Sequence, residues 1–547
     1  MDCLHTVRRM IMAYTSFGFL GFLVLVAAVY YLVPKRFQWA VLLAASYVFY
    51  LFSGVAQIAF IVGTTLITYL AGRLMQSIRD DYKSQLAKLP KEAGKEVKQE
   101  LKKKVNNKIR RVQFGSVILD LLILVVVKYL NFALQNVNTI FNLFHYDAKL
   151  PLINIIVPLG ISFYTFMSMG YLIDVGRGRY EAEKHLGKFA LFVSFFPTIV
   201  QGPINRYDDV GKQLGEEHKF DYNNFKFGAQ LMLWGFFKKM VIADRAFPAV
   251  STIFSAEHYL EYNGSIYFFG MLMYALQIYC DFSGGIDIAR GAAQMLGINL
   301  PQNFERPYFS MSVAEYWRRW HITLGAWMRE YVFFPVMLSK PVTKISKFFR
   351  QKGKKQIAKL VPSVITPFIV FFLIGVWHGA SWKYIAFGLY NATIVASSVA
   401  LAPVFKKLIE KLKINTDTFS WRVFCIVRTF LVLGISKILV KAPHLTAALH
   451  MVKSIFTQVD LDFIFGFDGR IFELGIDQKN MFVLFVAVIV LFTVSVLQET
   501  GLKLRESLAK QNIAFRWIIY LIALIVVLVF GIYGPMYDAA DFIYQAY

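Results

Sequence analysis

The sequence predicts an all-α polytopic membrane protein, and its composition and hydropathy pattern lead to this fold class. Of its 547 residues 57% are hydrophobic and only 17% are charged, whereas a soluble domain carries roughly 25% charged residues. The mean hydropathy is +0.49. The apolar residues form long uncharged blocks, and a helix needs about 20 such residues to span a bilayer. These blocks include Thr15–Pro34, Phe37–Gly72, Val361–Trp382, Met481–Leu497 and Trp517–Tyr537. An ordinary soluble enzyme is therefore excluded.

Charged and turn-forming residues divide the chain into about a dozen transmembrane or re-entrant helices. Lys35 and Arg36 separate the first two spans, and Ser53-Gly54 separates the second from the third. The later predicted spans cover residues 112–131, 151–174, 224–245, 263–298, 361–377, 381–403, 421–440, 480–498 and 516–535. No internal repeat is evident, so nothing favours a transporter built from inverted halves. We expect one membrane domain over residues 1–547.

The formal net charge is +24, but most lysines and arginines lie in the connections between apolar blocks. This distribution does not indicate a nucleic-acid partner. The longest polar connection, residues 79–111, holds 12 basic and five acidic residues. Such an excess places a loop on the cytoplasmic side. We expect a solvated helical hairpin that touches anionic lipid headgroups, with specific docking of a partner as the alternative.

The segment 300–360 lacks a clean apolar span and is rich in aromatic residues and arginine, which is typical of interfacial or re-entrant segments. Within it, Trp317 and His321 share a helical face at i,i+4 spacing. Arg318 and Arg319 lie between tryptophans, and their guanidinium groups can form bidentate hydrogen bonds with phosphate. The alternative is an interfacial anchor of aromatic and snorkelling side chains.

A second histidine, His378, ends an uncharged span directly after Trp377, with Gly375 and Gly379 on either side. Ionisable groups inside a bilayer are costly and are therefore functional candidates. Because imidazole titrates near neutrality, His378 could take a proton from a hydroxyl as a general base. A buried histidine that makes a structural hydrogen bond is the alternative.

A third group of polar residues interrupts the apolar stretch 263–298. Asp287 and Arg290 stand at i,i+3 spacing, which is compatible with a simple internal ion pair. Asp281 has no obvious partner nearby in sequence and could orient a histidine or a helix terminus, and Ser283 follows it. The three cysteines are far apart, and no metal-ligand motif, Gly-x-Ser-x-Gly elbow or phosphate-binding loop occurs, so no metal is expected.

These motifs together resemble the membrane-bound O-acyltransferase (MBOAT) family, in particular the bacterial branch that acylates exported cell-surface polymers. The matching stretches are Val157–Phe166, Ser194–Arg206, Ile278–Gly291, Asn303–Tyr331 and Gly375–Trp382. The carboxyl-terminal stretch Tyr533–Tyr544 also looks like that of the alginate O-acetylase type. The resemblance implies a ring of tilted helices with a central funnel that reaches the signature histidine of the family.

Carried onto this chain, the resemblance implies that His378 is the histidine of the Trp-His-Gly motif. It likewise implies that His321 is the histidine of the Trp-Arg-Arg-Trp-His motif typical of polysaccharide-acetylating members. We expect both to be catalytic, with the role of His321 open between catalysis and positioning. The residues expected to bind substrate or donor are Arg318, Arg319, Trp317, Trp377, Asp281 and Ser283.

The resemblance further implies O-acetyl transfer from cytoplasmic acetyl-coenzyme A across the cell membrane of a bacterium. No tightly bound cofactor is expected. The acetyl group would pass through an extracytoplasmic SGNH-type acetyltransferase to an exported polysaccharide whose identity the sequence does not reveal. The nearest alternative is D-alanyl transfer to teichoic acid from a carrier-protein thioester, and a non-enzymatic transporter is a more remote one.

Overall fold

The protein is all-helical in the part that the computed structural model describes, which is residues 12–90, 94–146, 149–153, 155, 157–466 and 469–533. Within these residues the only β pairing is an isolated bridge between Phe304 and Trp320. The predicted all-α class is confirmed. Most of the carboxyl-terminal stretch that resembles alginate O-acetylases, residues 534–544, lies outside the described residues.

The chain forms two compact units. The first comprises residues 1–229 and 289–301, and the second comprises residues 230–288 and 302–547. Helices Tyr222–Phe236 and Gly264–Met295 contribute residues to both. The expectation of a single domain over residues 1–547 stays a prediction, as does the ring of helices around a funnel.

The first unit is built on long apolar helices and carries the basic segment. Its principal helices are Phe17–Leu32, Gln38–Leu51, Val55–Lys88, Lys95–Leu143, Ile161–Arg177 and Leu186–Ser194. The second and third of these are separated at Ser53-Gly54, as predicted, and Gly54 takes a φ of 130° that favours glycine.

The basic segment 79–111 is divided between two helices that pack against each other as a hairpin, Val55–Lys88 and Lys95–Leu143. A buried hydrogen bond of 3.0 Å from the Thr68 hydroxyl to Asp120 joins them. The helical hairpin expected from the sequence is therefore present, while its contact with lipid headgroups stays a prediction.

The second unit contains both candidate histidines. Its principal helices are Phe237–Ala243, which is π-helical, Asp244–Ile253, Val313–Arg319, Ile322–Met328, Lys340–Gln351, Lys355–His378, Trp382–Ala400, Ala402–Lys411, Phe419–Lys441, Leu445–Thr457, Gln478–Glu499 and Ile513–Phe530. The segment 300–360 is broken into short helices, as a re-entrant or interfacial segment would be, although its depth in the membrane stays a prediction.

Two helices of the second unit approach each other closely through glycines and so position His378. A Cβ atom on Gly375 would lie 2.4 Å from the carbonyl oxygen of Tyr384, and one on Gly388 would lie 2.3 Å from that of Phe371. Real side chains essentially never come this close, so the contact requires glycine at both positions. The helix Lys355–His378 therefore packs backbone to backbone against the helix that follows it.

Six helices in the described part are long and apolar enough to span a membrane, or seven if the bent pair Trp382–Ala400 and Ala402–Lys411 counts as one span. The prediction of about a dozen spans is not confirmed. The first predicted span is a helix of only 16 residues, Phe17–Leu32. The predicted span at 263–298 is long, but the polar groups of Asp281, Ser283 and Asp287 interrupt it. The protein is nevertheless a multi-pass membrane protein.

Candidate active site

His378 is the last residue of the helix Lys355–His378 and is 9% exposed. The helix ends there because Gly379 leaves the helical conformation and adopts an extended one. The imidazole ring lies edge-on to Phe387 at 5.2 Å between centroids and stacks on Tyr384 at 6.2 Å. The following helix therefore supplies an aromatic wall on one side of His378.

His321 stands at the break between two short helices, Val313–Arg319 and Ile322–Met328. Its φ of 46° is left-handed, which a non-glycine residue adopts only under local constraint, and such strain is concentrated at functional sites. The predicted continuous helix through Trp317 and His321 is therefore interrupted. As a result, His321 faces inward with only 2% of its surface exposed.

Asn303 fixes the orientation of the His321 ring. Its Oδ1 accepts from the backbone N–H of Thr323 at 3.0 Å and from the Thr323 hydroxyl at 2.9 Å. The same oxygen lies 3.2 Å from His321 Nδ1, which fits donation from Nδ1–H. Burial, followed by the charge of nearby His378, lowers the pKa of His321 to about 3. His321 is therefore a neutral ring near pH 7 and a weak base.

Trp377 connects the two histidines. Its ring lies 5.7 Å from that of His321 and 4.9 Å from that of His378, measured between centroids. The structure thus brings His321 next to Trp377 and His378, from which it is separated by more than 50 positions in the sequence. Phe282 closes another side, with its ring 4.8 Å from that of His321.

A small cavity of about 30 Å³ lies beside His378. Its wall combines aromatic rings with a few polar groups, an arrangement common to small-molecule sites. The lining residues are Tyr274, Ile278, Tyr316, Trp317, Trp320, His378, Phe387, Ser436, Lys437 and Val440. Trp317 was predicted to bind substrate, and its indole nitrogen is buried without an acceptor among the described residues.

The two predicted donor-binding arginines have different surroundings. Arg318 is exposed. Arg319 binds Glu499 through contacts of 3.1–3.2 Å and Glu315 at 2.8 Å. Glu499 also accepts from Arg306 at 2.6 Å and lies 3.5 Å from Arg422, so three guanidinium groups converge on one carboxylate. Arg319 is thus engaged in an ion-pair network, and binding of the donor by either arginine stays a prediction.

Asp281 and Ser283 face buried lysines of the π-helical segment Phe237–Ala243. Lys239 is held between Asp281 and Asp244, each at 2.7 Å. Lys238 donates to the Ser283 hydroxyl at 2.8 Å.

Asp287 binds Lys238 at 2.8 Å. The simple local ion pair of Asp287 with Arg290 stays a prediction. The contacts just described for Asp281 and Ser283 are with Lys239 and Lys238. Phe282, between them in sequence, is the residue that contacts His321. The substrate-binding roles of Asp281 and Ser283 stay predictions.

Sequence reasoning did not single out Lys437, which lines the cavity of His378. It lies within the apolar helix Phe419–Lys441 and is 6% exposed. A charged residue inside an apolar span is a functional signal. The same signal that identified the histidines could therefore have identified this lysine.

Comparison with known proteins identifies a family. The model of the membrane-bound O-acyltransferase family matches residues 183–436, a range that contains both histidines. A protein of Pseudomonas syringae named "Probable alginate O-acetylase AlgI" is 31% identical over 80% of this chain and 73% of its own length. The peptidoglycan O-acetyltransferase of Helicobacter pylori is 27% identical over 81% of this chain and 78% of its own length.

A second kind of relative matches a smaller part. The teichoic acid D-alanyltransferase of Bacillus subtilis is 31% identical over 46% of this chain and 61% of its own length.

Proposed function

This chain belongs to the membrane-bound O-acyltransferase family, and from this premise we propose that it moves an acetyl group from cytoplasmic acetyl-coenzyme A across the bacterial cell membrane for O-acetylation of an exported polysaccharide. The family makes the chain an O-acyltransferase and a multi-pass membrane protein. The donor, the polysaccharide acceptor and the partner are the proposed parts.

The O-acetylase relatives favour acetyl over D-alanyl transfer. The alginate and peptidoglycan O-acetylases align with 80% and 81% of this chain, whereas the teichoic acid D-alanyltransferase of Bacillus subtilis aligns with 46%. The O-acetylases are therefore similar to this chain over a greater length. D-alanyl transfer from a carrier-protein thioester remains the alternative that a donor test must exclude.

The observation that carries the proposal is the position of His378 at a helix end, on the wall of a small aromatic cavity, with neutral His321 nearby across Trp377. His378 acts as the general base that takes the proton from the acceptor hydroxyl. The hydroxyl oxygen forms a bond to the thioester carbonyl carbon, and the C–S bond to coenzyme A then breaks. The leaving thiolate takes up the proton from His378, so the products are an acetyl ester and free coenzyme A.

His321 acts as a positioning residue in this reaction. With Nδ1 held against Asn303, the Nε2 atom of the neutral ring presents a lone pair. A base of such low proton affinity contributes little to proton abstraction at pH 7. The neutral His321 ring can nevertheless accept a hydrogen bond and thereby position Trp377 and the reacting groups.

The donor approaches from the basic cytoplasmic side, where exposed Arg318 is available to phosphate groups. The cavity of about 30 Å³ suits a small acyl group rather than a polymer. An extracytoplasmic acetyltransferase of the SGNH type would therefore receive the acetyl group and pass it to the polysaccharide. Copurification of such a protein with the membrane enzyme tests this part.

The central test replaces His378 with alanine and measures coenzyme A release by the purified enzyme in proteoliposomes that contain acetyl-coenzyme A and the copurified extracytoplasmic transferase as acceptor. Loss of the base should lower kcat by about 10²–10⁴-fold. His258→Gln is the control, since His258 pairs with Glu261 near the surface with a side-chain exposure of 44%. In cells, mild-alkali release of acetate from surface polysaccharide should be lost in parallel. Transfer that survives in His378→Ala would refute the assignment.

A further inference from the structure

The cavity beside His378 is lined by a buried lysine, Lys437, that the proposed reaction has not yet used. Lys437 Nζ donates to the Tyr316 hydroxyl at 3.3 Å. The ammonium group also lies 5.1 Å, 5.4 Å and 5.0 Å from the ring centroids of Tyr308, Tyr316 and Trp320. Such cation–π contacts compensate only part of the cost of removing a charge from water.

No carboxylate pairs with Lys437 in the described part of the chain. Lys239 provides an internal comparison, because it is equally buried but is held by Asp244 and Asp281 at 2.7 Å each. The second unit therefore neutralises one buried lysine with two carboxylates and leaves the other facing aromatic rings and a cavity. A lysine in such surroundings holds its proton best when negative charge develops on a group in the cavity.

The other polar groups of the cavity wall point to a reacting group rather than to lipid. His378 lines the same cavity, together with Trp317 and with Ser436, whose hydroxyl donates to the Leu433 carbonyl oxygen at 2.8 Å. The indole N–H of Trp317 is buried and finds no acceptor among the residues that the structure describes. A histidine, a lysine and a tryptophan with an unsatisfied donor thus line one small space.

We propose that the Lys437 ammonium group stabilises the oxyanion formed on the acyl carbonyl oxygen during transfer at His378, an inference that rests on the proposed function. When the acceptor oxygen attacks, the π electrons of the carbonyl move to its oxygen, beside Lys437. When the C–S bond breaks, these electrons re-form the carbonyl, and Lys437 keeps all of its protons throughout. The interaction is stronger in the transition state than with the neutral thioester, so it raises kcat.

The test compares Lys437→Met, which removes the charge at similar length, with Lys437→Arg, which retains it. We expect Lys437→Met to lower kcat by about 10²–10³-fold, as loss of an oxyanion-stabilising donor does elsewhere, with little change in KM for the thioester. Lys437→Arg should recover part of the loss. The readout is coenzyme A release by reconstituted enzyme whose thermal unfolding in detergent matches the wild type.

Lys441→Met is the matched control. Lys441 lies one turn further along the same helix and contacts the rings of Phe247 and Tyr274 at 6.0 Å and 5.9 Å, but it does not line the cavity. Its variant should keep kcat close to that of wild type.

Three results would overturn the inference: an unchanged kcat in Lys437→Met, an equal loss in Lys441→Met, or a loss confined to KM. The last result would indicate a substrate with a permanent negative charge instead. If the wild type rejects acetyl-coenzyme A but accepts an aminoacylated carrier protein, the proposed function fails. The same variants then test Lys437 with that thioester.

Discussion

The close contact between the helices that position His378 leads to a quantitative prediction for Gly388→Ala. The added Cβ would lie 2.3 Å from the carbonyl oxygen of Phe371, while ordinary contact begins at 3.4 Å, so the backbones must separate by about 1 Å. Overpacking of this kind costs about 1–3 kcal/mol. A displacement of ~1 Å at a catalytic group can also cost on the order of 10² in rate.

Gly63→Ala is the matched control, because Gly63 is also helical and a Cβ there meets nothing within 4 Å. Alanine is favoured over glycine in a helix by roughly 0.5–1 kcal/mol, so this variant should unfold at the wild-type temperature or above. Gly388→Ala should unfold at a lower temperature in detergent, followed by tryptophan fluorescence, and should lose activity at temperatures where it is still folded. Equal unfolding temperatures and equal activities for the two variants would refute the reasoning.

Two further predictions concern buried ionisable groups. Lys239→Met should destabilise the protein by about 3–5 kcal/mol, because it leaves the carboxylate of Asp281 buried without its cation; a melting temperature equal to that of wild type in detergent would contradict this. His321→Asn should lower kcat without moving the acid limb of its pH profile between about pH 5 and pH 8. The reason is that the lowered pKa of about 3 keeps this ring neutral throughout that range. A displaced limb in the variant would show that His321 titrates during catalysis.

The sequence identified the two histidines of the site but not the residues that surround them. His321 and His378 stood out because an ionisable group in an apolar or interfacial stretch requires a reason. The structure brings His321 to Trp377 and so close to His378, which no spacing rule could predict across more than 50 positions. The helical face expected for Trp317 and His321 does not exist as such, because the chain breaks at Trp320 and His321 takes a left-handed conformation.

Several partners of the charged residues could not be predicted, since these ion pairs join distant parts of the chain. Arg319 matched a pattern for phosphate binding, yet its guanidinium group binds Glu499, which is 180 positions away. Asp281 had no partner nearby in sequence, and the structure supplies Lys239 from another helix. Lys437 was overlooked because charged residues toward the end of an apolar helix are common and usually reach the membrane surface.

Local properties of the sequence thus determined the helical class, the membrane location, the helical hairpin of residues 79–111 and the two histidines. Hydrophobic block length, charge and glycine placement act over a few turns of chain and can be recognised without a fold. Tertiary structure alone decided which buried lysines are paired with carboxylates and which residues share the cavity. These depend on packing between helices that are remote in sequence, where a contact of a few ångströms determines whether a buried charge is neutralised or left facing a cavity.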